Sequence, residues 1–148
     1  LTAVEEVFKA LDTDSNNLVD SLETLVTFCM LSGMELRDKA RFCFTCYDFD
    51  ESGEITVDEL TLLLKSCATG LCKLSKETPV PEEIKIESLA REAFRRTGKT
   101  HDVRITCDEF IDHCLSTPEI LSWCDFYDDA PDYSAQRQFS DQSGGAAA

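Results

Sequence analysis

Residues 48–59 read DFDESGEITVDE, six carboxylates in twelve positions, with a glycine at the sixth and a β-branched residue at the eighth. Carboxylates packed this closely repel one another. The segment therefore folds around something that supplies positive charge. The spacing specifies a cation loop: Asp48, Asp50 and Ser52 at positions 1, 3 and 5, the Glu54 carbonyl at 7, Thr56 at 9, directly or through water, and Glu59 at 12 with both oxygens. Gly53 falls where the chain must turn with positive φ, which glycine does at least cost. Ile55 is set to pair with a sister loop and face the core.

Order and spacing match the D-x-[DN]-x-[DNS]-G-x5-E calcium loop. Leu36, Ala40, Phe44 and Tyr47 before it, and Leu60, Leu63 and Leu64 after it, fall at helical spacing. A helix enters the loop and a helix leaves it. The pattern repeats at 12–23, DTDSNNLVDSLE. Asp12, Asp14, Asn16, Asp20 and Glu23 take positions 1, 3, 5, 9 and 12, Leu18 offers the carbonyl at 7, and Val19 is the central apolar residue. Asn17 replaces the glycine, and asparagine tolerates left-handed φ well. Val4, Phe8 and Leu11 precede this loop; Leu22, Leu25, Val26 and Cys29 follow it.

A third copy, GKTHDVRITCDE at 98–109, is eroded. Gly98 stands at position 1, Thr100 at 3 and Val103 at 6, which leaves Asp102 and Glu109 as the charged candidates. This loop is expected to hold no physiological calcium and to pair structurally with the loop at 48, Ile105 against Ile55.

These loops resemble the EF-hand superfamily, and the long connector, the eroded loop and the extra C-terminal helix resemble its neuronal calcium sensor and calaxin-like branch. The resemblance covers about residues 1–130. It implies an all-α fold of helix–loop–helix units in two lobes, with short β contacts between paired loops. The units read as 1–34 and 36–69, both calcium-binding, a Pro-bearing connector 70–84, a degenerate unit 85–115, a C-terminal helix 116–130 and a tail or linker 131–148. Loops one and two start 36 residues apart and loops two and three 50 apart, the extra length lying in GLCKLSKETPVPEEI. Three units leave the first without a partner, and the chain does not open on methionine. A preceding fourth unit is therefore expected, and a removed signal or a lipid acceptor stays open. The departures are the absent first hand, a final loop that has lost its ligands and the lack of an N-terminal glycine.

The net charge of -15 argues against nucleic acid and suits a cation binder or one with basic targets. No apolar run is long enough to span a membrane. The eight cysteines, Cys29, Cys43, Cys46, Cys67, Cys72, Cys107, Cys114 and Cys124, sit mostly in apolar helical patterns. That placement favours reduced thiols and a cytoplasmic setting. Cys43 and Cys46 form C-x-x-C inside an entering helix, where packing is the better reading than redox chemistry. His101 and His113 have no nucleophile partner at a recognisable motif, so the chain reads as a non-enzyme, with a catalytic domain outside it left open. In STPEILSWCDFYDD, Thr117 can cap a helix and Pro118 suits its first position. That helix is expected to pack in the groove where a target would dock, with Leu60, Leu63, Leu64, Trp123 and Phe126 as target-facing residues.

The reading is a calcium sensor that takes two calcium ions, with magnesium when calcium is low, and controls a protein target through an amphipathic helix. Met30 and Met34 are the only methionines, which points to a narrow target range. The alternatives are a regulatory or scaffolding module of a larger polypeptide or of a ciliary, flagellar or cytoskeletal complex, and a calcium buffer.

Overall fold

The computed structural model describes residues 2–75, 80–100 and 103–128, and for 124–128 the backbone alone. Among the described residues there are seven helices and one two-stranded sheet: α1 (Ala3–Leu11), α2 (Ser21–Leu31), α3 (Leu36–Tyr47), β1 (Glu54–Ile55), α4 (Val57–Ser75), α5 (Glu83–Arg96), β2 (Ile105–Thr106), α6 (Cys107–Ser116) and α7 (Pro118–Asp128). This is the all-α fold expected, and helices flank each of the three loops.

The exit helices start by one device. Position 9 of each loop is the N-cap, and position 12 is the third helical residue. Asp20 Oδ1 accepts from the Glu23 N–H at 2.7 Å, Thr56 Oγ1 from the Glu59 N–H at 3.2 Å, and Thr106 Oγ1 from the Glu109 N–H at 3.3 Å. At Thr56 and Thr106 the glutamate reaches back to the capping residue's own N–H, closing a capping box. The residues that read as cation ligands therefore also start helices.

β1 and β2 pair antiparallel, Glu54 with Thr106 and Ile55 with Ile105, the pairing expected from the repeat. Both isoleucines are fully buried. Phe44 of α3 packs on Phe110 of α6 with ring centroids 5.8 Å apart. Around them lies one continuous apolar cluster that takes in Val26, Cys29 and Met30 of α2, Leu60, Leu63, Leu64, Ala68 and Leu71 of α4, Ile86 and Phe94 of α5, and Ile111 of α6. The first unit shares this cluster instead of forming a core of its own, because α4 is longer than expected. It runs to Ser75, into the segment read as connector from residue 70, and its second half packs on α2. Gly70 makes that approach possible: a methyl there would overlap Thr27 Oγ1.

Other details differ from the sequence reading. Val4 and Phe8 are exposed, at 75% and 38%, and α1 gives the core only Leu11. Gly98, read as position 1 of the third loop, is also the left-handed residue closing α5, with φ +69. The Lys99 N–H returns to the Phe94 carbonyl and the Gly98 N–H to the Arg95 carbonyl, each at 3.1 Å, which is a Schellman ending. The Thr117 hydroxyl donates to the His113 carbonyl at 2.7 Å and so helps to close α6. Asp102, His101 and the tail from residue 129 lie outside the described residues.

Candidate metal centre

The loops at 12 and 48 share one backbone course. Each opens on the aspartate that ends its entering helix, with φ and ψ of -82° and 75° at Asp12 and -78° and 76° at Asp48. Each then turns twice through the left-handed region, at positions 4 and 6: Ser15 and Asn17 in one, Glu51 and Gly53 in the other. Asn17, at φ +63°, makes the turn that Gly53 makes at +79°.

The hydrogen bonds repeat too. In the loop at 48, the Ser52 N–H donates to Asp48 Oδ1 (3.0 Å) and Asp50 Oδ1 (3.2 Å), and the Gly53 N–H to Asp48 Oδ2 (2.7 Å). In the loop at 12, the Asn16 N–H donates to Asp12 Oδ1 (3.1 Å) and Asp14 Oδ1 (3.3 Å), and the Asn17 N–H to Asp12 Oδ2 (2.9 Å). Both loops wrap their backbone N–H groups around the first aspartate. Ligand type, order and backbone turn fit a divalent ion.

The side-chain oxygens are engaged by donors of the chain itself. Glu59 Oε2 accepts from the Thr56 N–H at 2.8 Å and from its hydroxyl at 2.9 Å. Among the described residues no three His, Cys, Asp or Glu side chains are grouped closely enough to hold an ion. Basic side chains meet some of the loop carboxylates. Lys73, near the end of α4, pairs with Glu23 at 2.7 Å, both side chains mostly buried, and also donates to the Leu11 carbonyl at 3.2 Å. Arg104 reaches from the third loop to Asp50 at 2.6 Å. In the third loop, the Lys99 ammonium spans Glu109 at 2.7 Å and the Arg104 carbonyl at 3.1 Å, positions 12 and 7 of that loop. Burial pushes the Glu109 carboxyl up, but Lys99 and the Thr106 donors outweigh it and hold it below the usual range.

Sequence reasoning missed Lys73 and Arg104. Each meets its loop from about fifty residues away, and no local spacing marks such a contact.

The residues read as target-facing are not open here. Leu60, Leu63 and Leu64 are buried, and Trp123 is partly buried against the same cluster. The Phe126 side chain lies outside the described residues. Among the described residues, the seven cysteines from Cys29 to Cys114 form no disulfide. A hydrogen bond with the Cys43 thiol and burial push the Cys29 thiol up. At Cys43 the bond to Cys29 pulls the other way, but Cys67 and burial prevail and push that thiol up as well. Burial raises Cys46. Thiols held protonated are poor nucleophiles, so the C-x-x-C is core packing. No helix among the described residues is long and apolar enough to cross a membrane.

No family model matches the chain. It is similar to the guanylyl cyclase inhibitory protein of Lithobates pipiens, at 28% identity over 113 residues, 75% of this chain and 53% of the relative. It is also similar to the guanylyl cyclase-activating protein 2 of Lithobates pipiens, at 27% over 111 residues, 74% and 56%, and to human recoverin, at 24% over 122 residues, 82% and 61%. The chain thus spans little more than half the length of these relatives. The resemblance read from the loops holds: the chain is homologous to EF-hand proteins of the neuronal calcium sensor group.

Proposed function

We propose that this chain is a calcium-responsive regulatory protein that takes two calcium ions, one at residues 12–23 and one at 48–59, and controls a protein target. The observation that carries this reading is the shared course of the two loops, with left-handed turns at the same two positions and the same N–H groups gathered on the first aspartate. Asp12, Asp14, Asn16, the Leu18 carbonyl, Asp20 and Glu23 would hold one ion. Asp48, Asp50, Ser52, the Glu54 carbonyl, Thr56 and Glu59 would hold the other. A divalent cation supplies the charge that these oxygens otherwise draw from lysine and arginine, and magnesium serves when calcium is low.

The chain's own residues provide the switch. Glu23 has to leave Lys73, and Glu59 has to leave the Thr56 donors, before either can act as a ligand. Each is the third residue of an exit helix, so α2 and α4 move with them. Movement of α4 away from the cluster uncovers Leu60, Leu63 and Leu64, and an amphipathic target helix can dock there. Two of the similar proteins are named for activating or inhibiting guanylyl cyclase, which supports an enzyme-regulating role for a chain that is not itself an enzyme.

Calcium titration followed by native mass spectrometry, in parallel with an apolar dye, tests the reading. The expected result is two ions per chain with a rise in dye binding. A third tight ion, or none, would show that the loops are misread. Two ions without dye binding would leave a buffer or a scaffolding module of a larger polypeptide.

A further inference from the structure

The third loop carries an arginine that belongs, by its contacts, to the second. Arg104 Nη1 lies 2.6 Å from Asp50 Oδ2, 3.0 Å from Ser52 Oγ and 3.5 Å from the Glu54 carbonyl. These are positions 3, 5 and 7 of the loop at 48, three of its six ligand positions. The placement is not left to a free side chain. Arg104 immediately precedes Ile105, which is locked against Ile55 in the two-stranded pair. Its own carbonyl accepts from Lys99, which is in turn paired with Glu109. The third loop is thus closed by its own lysine and holds Arg104 over its neighbour. The Ser52 hydroxyl and the Arg104 guanidinium lower the Asp50 carboxyl to about 2.

A guanidinium is charged at every physiological pH and fits carboxylate oxygens through its planar donor fork. It cannot share three oxygens with a divalent ion, because the two cations repel at contact distance.

We propose that Arg104 is a built-in competitor of calcium at the loop at 48, and sets that loop's affinity from the third loop. Resting on the calcium reading above, it assigns the eroded loop a second task beside pairing: lowering its partner's affinity, and releasing a guanidinium when the partner fills. Asp50 and Arg104 are partly exposed, at 49% and 35%, so the restraint is moderate. Removing it should tighten the site by about fivefold, the scale of an exposed charge pair.

Competitive-chelator titration of the full chain, with the Gly53 amide resonance reporting occupancy of this loop, tests the affinity. Arg104→Gln should bind calcium about fivefold tighter, and Arg104→Lys should recover only part of the restraint, since an ammonium lacks the fork. The Arg104 guanidinium resonances should show hindered rotation in chelator and free rotation once calcium is bound. Unchanged or weaker binding by Arg104→Gln, or a guanidinium that stays hindered with calcium bound, would overturn the proposal while leaving the calcium loop standing. Failure of the parent and of Arg104→Gln alike to bind calcium at this loop would overturn the calcium reading, and the competition with it.

Discussion

In the proposed reading Glu59 has two roles in one side chain, the last ligand of the loop at 48 and the third residue of α4. Its carboxylate accepts from the Thr56 N–H and hydroxyl, while its own N–H donates to Thr56 Oγ1. Substitutions can separate the two roles. Glu59→Gln keeps an oxygen for the cap and loses the charged bidentate ligand, so calcium affinity at 48–59 should fall by more than about tenfold with little loss of stability in chelator. Thr56→Ala removes the cap and should cost about 1 kcal/mol in urea unfolding. Its calcium affinity should change far less, since position 9 can act through water. Equal losses of affinity in the two variants would show that the loop register is wrong. At this scale the sequence was most readable where a role depends on near neighbours. Asn17 could be placed at a left-handed turn because the turn follows from loop spacing. Gly98 could not be recognised as a helix ending, because the same alignment that paired Ile105 with Ile55 put it at position 1.

α4 shows how an element can be extended against its own sequence signals. The Pro-bearing connector read at 70–84 begins at Gly70, a residue type that often marks a break. In the structure Gly70 is fully inside the helix, and its missing side chain lets α2 come close. The competing effects have opposite signs. Helix propensity alone predicts that Gly70→Ala stabilises by about 1 kcal/mol. The methyl, however, would overlap Thr27 Oγ1, a buried hydroxyl with no hydrogen-bond partner. Overpacking of a tight core costs about 1–3 kcal/mol, so the net effect of Gly70→Ala should be destabilising. Thr27→Ala removes both the obstruction and the unsatisfied hydroxyl. The double variant Thr27→Ala/Gly70→Ala should therefore unfold at a higher urea midpoint than Gly70→Ala alone. An additive double variant would place the strain elsewhere. The helix boundaries flanking the loops were legible because caps and ligands coincide there. The length of α4 was not, because it is decided by α2, more than forty residues away.

Across the whole molecule, a chain of net charge -15 places a few basic side chains at its acidic loops. Lys73, Lys99 and Arg104 each stand on a ligand-position carboxylate. Two of these contacts bridge separate elements, Lys73 from α4 to the first loop and Arg104 from the third loop to the second. On the calcium reading, divalent ions would replace these contacts, and α7 is placed to register the change. It packs against α2, α4 and α6, so it touches the exit helix of every loop. Its Trp123 is partly buried against the common cluster and is the only tryptophan. On the calcium reading proposed above, Glu23 and Glu59 would turn to serve as ligands, α2 and α4 would shift beneath α7, and the apolar seat of the indole would open. Calcium addition should therefore move Trp123 emission to longer wavelength, in step with filling of the loops, and Glu59→Gln should remove the part of the shift due to the second loop. A blue shift would mean that calcium tightens α7 onto the cluster and that the target surface lies elsewhere. Unchanged emission with two ions bound would uncouple α7 from the loops, and leave it as packing alone.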